Sequence, residues 1–138
     1  MTQIENQFRL PLRVYYEYTD AGGVVYYANY LAFMERGRTE WLRSLGYENR
    51  QLIDEAGIVF AVRRAVVDYL GAARLDDELE VIVAIKQLKR ASLVFEQEIR
   101  RGEQLLCKGE ITLVCVTLDG FKPTPIPEPI MKEINNVR

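Results

Sequence analysis

The sequence contains no histidine. That one absence removes Ser-His-Asp and Cys-His nucleophile systems and every imidazole-bound metal. Cysteine is nearly as scarce. The two present, Cys107 and Cys115, fall in a stretch that reads as a single strand, where a rise of about 3.3 Å per residue keeps them too far apart to bridge. Two thiols cannot build a zinc site, so free, buried cysteines in a reducing compartment are expected. No apolar run approaches the roughly 18 residues of a membrane span. The opening residues, MTQIENQFRLPLRVYY, carry acids and arginines where a secretory signal needs an apolar core. The expected location is therefore the cytoplasm. No phosphate-cradling GxxxxGK or GxGxxG pattern is present, and a net charge of −2 gives no reason to expect a nucleic-acid partner. Catalysis, if any, falls to carboxylates, tyrosines, lysines, backbone dipoles or an external cofactor, and no motif in the sequence implies a cofactor.

What is present reads as one domain over residues 1–138 with ordinary globular composition, 49% hydrophobic and 28% charged. Residues 7–16 are β-formers broken by Pro11, an edge-like first strand. Thr19-Asp20-Ala21-Gly22-Gly23 signals a turn. Residues 28–45 have helical period, with Leu31, Met34, Trp41, Leu42 and Leu45 on one stripe and Gly46 as a stop. Arg38 falls within that stripe, where an ion pair with Glu35 or a strand carboxylate is expected. Gly37 inside the helix suggests close packing on a sheet. Residues 58–70, 79–88, 92–100 and 104–118 read as four more strands, with a tight hairpin at Arg101-Gly102-Glu103. Asp76-Asp77 reads as a turn before a strand, and residues 123–129 as a proline-rich extended segment before a short closing helix. The class is α+β: a largely antiparallel five-stranded sheet with the helix on one face. Several strands are apolar on both faces, as in Leu113-Val114-Cys115-Val116, and one helix covers only one face. A homo-oligomer is expected, with a dimer as the minimum unit.

The stretch from Val14 to Tyr30 puts a carboxylate, two glycines and several tyrosines around a helix start. Gly22 and Gly23 let backbone approach a ligand closely or adopt positive φ. The first turn of the helix offers unpaired amides and partial positive charge to an oxyanion. A carboxylate just upstream can then act on a carbonyl carbon while those amides hold its oxygen. The residues alone leave open that Asp20 merely stabilises the turn through its own backbone.

From Arg13 to about Pro125 the chain resembles the hotdog acyl-CoA thioesterases of the 4-hydroxybenzoyl-CoA type, most closely the Tol–Pal-associated YbgC-type branch. The resemblance is densest in Arg13-Val-Tyr-Tyr-Glu, in Thr19-Asp20-Ala-Gly-Gly-Val-Val-Tyr, in Ala28-Asn-Tyr30, and in Phe33-Met-Glu-Arg-Gly-Arg-Thr-Glu40. Ala73-Arg-Leu-Asp-Asp77 and Ser92-Leu-Val-Phe95 match as well. It implies a hotdog fold, in which a curved five-stranded antiparallel sheet wraps a long central helix. It also implies edge-to-edge dimers that often pair into tetramers, and active sites at the subunit interface. Asp20 matches the catalytic aspartate, nucleophile or general base toward water. The backbone N–H of Tyr27 matches the group that polarises the thioester carbonyl. Gly22, Gly23 and Asn29 fall in the substrate-binding stretch, and coenzyme A phosphate contacts fall near Lys89, Arg90 and Ser92. Two departures stand out: Tyr18 replaces the branch's usual aspartate, and Tyr27 its usual histidine. An acyl carrier protein thioesterase shares the same phosphopantetheine chemistry, and a non-catalytic acyl-CoA-binding scaffold is the non-enzymatic alternative.

Overall fold

The computed structural model describes residues 7–138. Its sheet is wholly antiparallel, with strands β1 (Phe8–Arg13), β2 (Ile58–Tyr69), β3 (Glu78–Leu88), β4 (Ser92–Arg101) and β5 (Gln104–Thr117) in the order β1-β3-β4-β5-β2. Helix α1 (Ala28–Ser44) packs on one face, and this is the hotdog arrangement. A short turn, α2 (Asn49–Gln51), runs into a π-helical turn (Leu52–Ala56) ahead of β2, and α3 (Glu128–Val137) closes the chain. Among the described residues, no helix is long and apolar enough to cross a membrane.

The buried side of α1 is Tyr30, Phe33, Met34, Gly37, Trp41 and Leu42, a three-and-four spacing that puts them on one face. Leu31, expected on the stripe, is exposed: it lies one position, about 100° of helix, from Tyr30. The helix ends in a Schellman arrangement. Gly46 takes a φ of +95°, its N–H donates to the Arg43 carbonyl, and Tyr47 N–H donates to Leu42.

Two features key α1 to the sheet. A Cβ at Gly37 would lie 2.8 Å from a Val81 methyl and 2.9 Å from a Val83 methyl, so only glycine allows this approach. Beside it, fully buried Gln97 on β4 donates from Nε2 to the Met34 carbonyl at 2.9 Å and accepts from Arg38 Nη1 at 2.9 Å. Arg38 therefore bonds a neutral amide instead of the expected carboxylate, while Glu35 accepts from Thr39. Burial in these surroundings lowers the Arg38 guanidinium pKa from its usual value, opposed by the nearby Glu35 charge.

Three further departures have local causes. The first strand stops at Arg13, short of Tyr16. Val14 exchanges backbone bonds with the Asp76–Asp77 turn, and Tyr16–Tyr18 then winds into a 3₁₀ turn. The helical turns between Gly46 and β2 were not anticipated. The closing helix begins at Glu128, inside the proline-rich segment, because Pro129 suits a first helical turn.

Strand β2 is a sheet edge with 12 residues, and Val62 and Val66 on it are exposed. It carries a bulge: Val62 faces Leu113 and Arg64 faces Thr112, leaving Arg63 as the extra residue. On the side away from α1, Ile82 and Ala84 of β3 and Val114 and Val116 of β5 are apolar and buried. Glu80, Glu96, Glu98, Arg100, Lys108 and Glu110 share that face, so it is mixed where the sequence suggested strands apolar on both sides.

Candidate active site

The loop between β1 and α1 folds back on itself. Thr19 bridges to Val25, and Asp20 N–H donates to the Val24 carbonyl at 2.9 Å. Asp20 sits at the exposed tip, where its Oδ1 accepts the Gly22 N–H at 2.8 Å, so the turn-forming role is real. The glycines have separate reasons. A Cβ on Gly22 would crowd Asp20 Oδ1 at 3.3 Å, and Gly23 holds a φ of +76°. The carboxylate's other oxygen has no partner among the described residues.

The neck of the loop is drawn onto the helix by one carbonyl. Tyr18 O accepts from the Tyr26 N–H and from Asn29 Nδ2, both at 2.9 Å. Asn29, expected at the substrate, uses one amide proton to hold this neck. Tyr27 is the residue before α1, with φ −56° and ψ −30°. No described residue accepts a hydrogen bond from its backbone N–H, which leaves a donor at the positive end of the helix on the same loop as Asp20.

Aromatic rings gather near this helix start. Tyr27, 60% exposed, meets Tyr69 of β2 edge-on with centroids 5.8 Å apart, and Tyr69 leans on Tyr30 at 5.7 Å. Tyr18 packs edge-on against Phe33 at 5.0 Å and carries the Arg36 guanidinium over its face at 5.3 Å. Burial raises the pKa of Tyr30, and likewise that of Tyr69, keeping both hydroxyls protonated. Among the described residues, no group of three or more Cys, Asp or Glu side chains converges to hold a metal.

Lys89, Arg90 and Ser92 lie at the β3–β4 turn, closed by Lys89 N–H donating to the Ser92 carbonyl at 2.8 Å. Arg90 also borders a groove against α3, where Lys132 and Met131 face it. This turn is at the opposite end of the strands from Asp20. Strand β3 has 11 residues, so at about 3.3 Å per residue the two ends are roughly 33 Å apart. One subunit brings Asp20, Gly22, Gly23, Tyr27 and Asn29 together and leaves the cationic turn distant.

The residues that sequence reasoning passed over lie behind the loop. Tyr69 and the segment 71–77 flank it, yet only the Ala73–Asp77 stretch drew notice, as part of a family resemblance and as a turn. The described chain also has an apolar cavity of about 150 Å³ between α1, β2 and α3, bordered by Arg38, Trp41, Phe60, Val62, Phe95 and Ile134.

Residues 14–134 match the Thioesterase-like superfamily. The chain is 41% identical to the acyl-CoA thioesterase YbgC of Haemophilus influenzae over 135 residues, covering 98% of this chain and 99% of the relative. It is 47% identical over 127 residues to the acyl-CoA thioester hydrolase YbgC of Escherichia coli, covering 91% and 94%. Among solved structures, a probable thioesterase from Bartonella henselae superposes with a TM-score of 0.83 at 33% identity, over 88% of this chain and 99% of that one. The match spans nearly the whole chain in both sequence and fold: the chain belongs to the thioesterase-like superfamily and is a thioester hydrolase.

Proposed function

We propose that the protein hydrolyses acyl-coenzyme A thioesters, with Asp20 as the catalytic carboxylate and the Tyr27 backbone N–H donating to the thioester oxygen. The observation that carries this reading is the unaccepted Tyr27 N–H at the start of α1, on the same closed loop as the exposed Asp20. The printed names of the two YbgC relatives support the substrate class. Asp20 either attacks the carbonyl carbon, giving an anhydride that water then opens, or takes a proton from water as it attacks. Both routes end with water added across the C–S bond, giving a carboxylic acid and the free thiol of coenzyme A. The helix-start amide offsets the negative charge that gathers on the carbonyl oxygen. The test is thiol release over a panel of short, long and aromatic acyl-CoAs. Turnover of at least one of them is expected; binding without thiol release from any would favour a scaffold. Acyl carrier protein thioesters added to the panel would reveal a carrier-protein preference.

The site is interfacial on this reading. Joining two β2 edges antiparallel about a two-fold axis would bring the cationic turn of one subunit toward the Asp20 end of the other, bridging the gap within a subunit. Sedimentation at micromolar concentration is expected to give a dimer or, more readily, the tetramer that the family resemblance implies. A single species at 16.0 kDa would remove the interface and the site with it. The free, buried Cys107 and Cys115 suit the cytoplasmic location; burial pushes their thiols up, to about 12 and about 11.

Lys89 and Arg90 are the proposed phosphate contacts, with Ser92 beside them. Reversing both charges to glutamate is expected to raise KM for acyl-CoA by about 3- to 30-fold, the scale of ~1–2 kcal/mol of exposed charge pairing, with kcat little changed. The difference should shrink in high salt. A loss confined to kcat would place the phosphates elsewhere.

A further inference from the structure

Tyr30 is the third residue of α1, 3% exposed, and its hydroxyl is a buried polar group near the site that the proposed chemistry does not use. That hydroxyl accepts the Ala73 N–H at 2.9 Å and lies 3.5 Å from the Gly71 carbonyl, too long for a good bond. The Ala73 carbonyl in turn accepts the Val25 N–H at 2.8 Å, Val24 bridges to Arg74, and Leu75 N–H donates to the Gly23 carbonyl at 3.2 Å. Segment 71–77 therefore runs as a strap along the back of the Asp20 loop, bonded to it at Gly23, Val24 and Val25. Its far end is fixed as well: Asp77 Oδ2 takes the Arg74 N–H at 2.8 Å and Arg101 Nη1 at 2.6 Å, and the same Nη1 reaches the Ala72 carbonyl at 3.1 Å. The Arg101 cation holds the Asp77 carboxyl below its usual pKa against the opposing effect of burial, so the clamp stays charged.

We infer that Tyr30 is a positioning residue: through the 71–77 strap, its hydroxyl sets the Asp20 loop against the start of α1, and thereby the carboxylate against the Tyr27 N–H. The inference rests on the proposed role of Asp20. Its physical basis is that Tyr30 and the Tyr27 amide share one rigid helix end, while Asp20 sits on an exposed loop tip. The strap is the bonded connection on the loop's rear side; Asn29 and Tyr26, at the neck, supply the other. A small displacement of a catalytic group costs far more in turnover than in affinity, because the substrate is gripped elsewhere.

Tyr30→Phe removes the acceptor and keeps the ring. It is expected to lower kcat about tenfold with KM within twofold of wild type, and to speed amide hydrogen exchange at Ala73 and Val25. Ile130→Val in α3 is the stability control: a similar drop in Tm there should leave kcat unchanged. In an Asp20→Asn background Tyr30→Phe should add no further loss, since both act on one group. Asp77→Asn, which loosens the strap at its other end, should reproduce the kcat pattern if Tyr30→Phe folds poorly. Unchanged exchange at Val25, a loss confined to KM, an equal kcat loss in Ile130→Val, or multiplicative losses with Asp20→Asn would each overturn the positioning role alone. Undiminished turnover in Asp20→Asn by itself overturns the reading of Asp20, and this inference with it.

Discussion

Asp20→Asn is expected to lower kcat by at least about 10², the scale of a lost general base or nucleophile, while acyl-CoA binding is largely kept. The substitution is unusually clean. Asparagine has the same size, and its side-chain oxygen can still accept the Gly22 N–H that Asp20 accepts now at 2.8 Å, so the turn survives. What disappears is the negative charge and its basicity. Histidine is absent from the whole sequence, so no imidazole elsewhere can substitute as a base. Glu17 is the rival carboxylate, but it belongs to the 3₁₀ turn before the loop closes, while Asp20 stands at the tip. Thiol release by the asparagine variant at near wild-type rate would return Asp20 to a purely conformational role.

Tyr27→Pro is expected to lower kcat by about 10²- to 10³-fold, the loss seen when one oxyanion donor is deleted. Proline abolishes the backbone N–H and does little else to the fold here. The native φ of −56° is already within proline's range, no described residue depends on the lost N–H, and the preceding Tyr26 lies outside the helix. The ring is lost at the same time, so Tyr27→Ala is the matching control. It keeps the amide, removes the contacts to Tyr26 and Tyr69, and should fall less than tenfold. Equal losses in the two variants would assign the effect to the ring and discard the amide.

The architecture was legible because its signals are local. Turn chemistry at Gly102 and Gly46 and the alternation of β-formers are enough to set out the strands and the helix. The loop was legible for the same reason: Asp20, Gly22 and Gly23 are turn residues next to a helix start. What stayed hidden depends on pairing between distant segments. No sequence period says that Gln97 will donate to the Met34 carbonyl, so Arg38 was expected to find an acid. No local signal marks Tyr30 as the acceptor for Ala73, or Tyr69 as the neighbour of Tyr27, because each partner arrives on another strand. The end of β1 is hidden for a related reason. Residues 14–16 are good β-formers, but their backbone bonds go to the Asp76–Asp77 turn and to a 3₁₀ turn.

The bulge in β2 acts on the strand as a frameshift acts on a message. Before Arg63 the even-numbered residues, Phe60 and Val62, face Cys115 and Leu113 and look toward the helices; after it the odd-numbered ones do, Ala65, Val67 and Tyr69. With all 12 residues of the strand present, Tyr69 therefore stands beside Tyr27 and Tyr30 only because Arg63 is left out of the pairing. Flattening the bulge with every residue kept, so that Arg63 took Thr112 as its partner, would turn one half of the strand inside out and move the Tyr69 ring to the outer surface. Deleting Arg63 would instead leave Tyr69 opposite Cys107 and the wall intact.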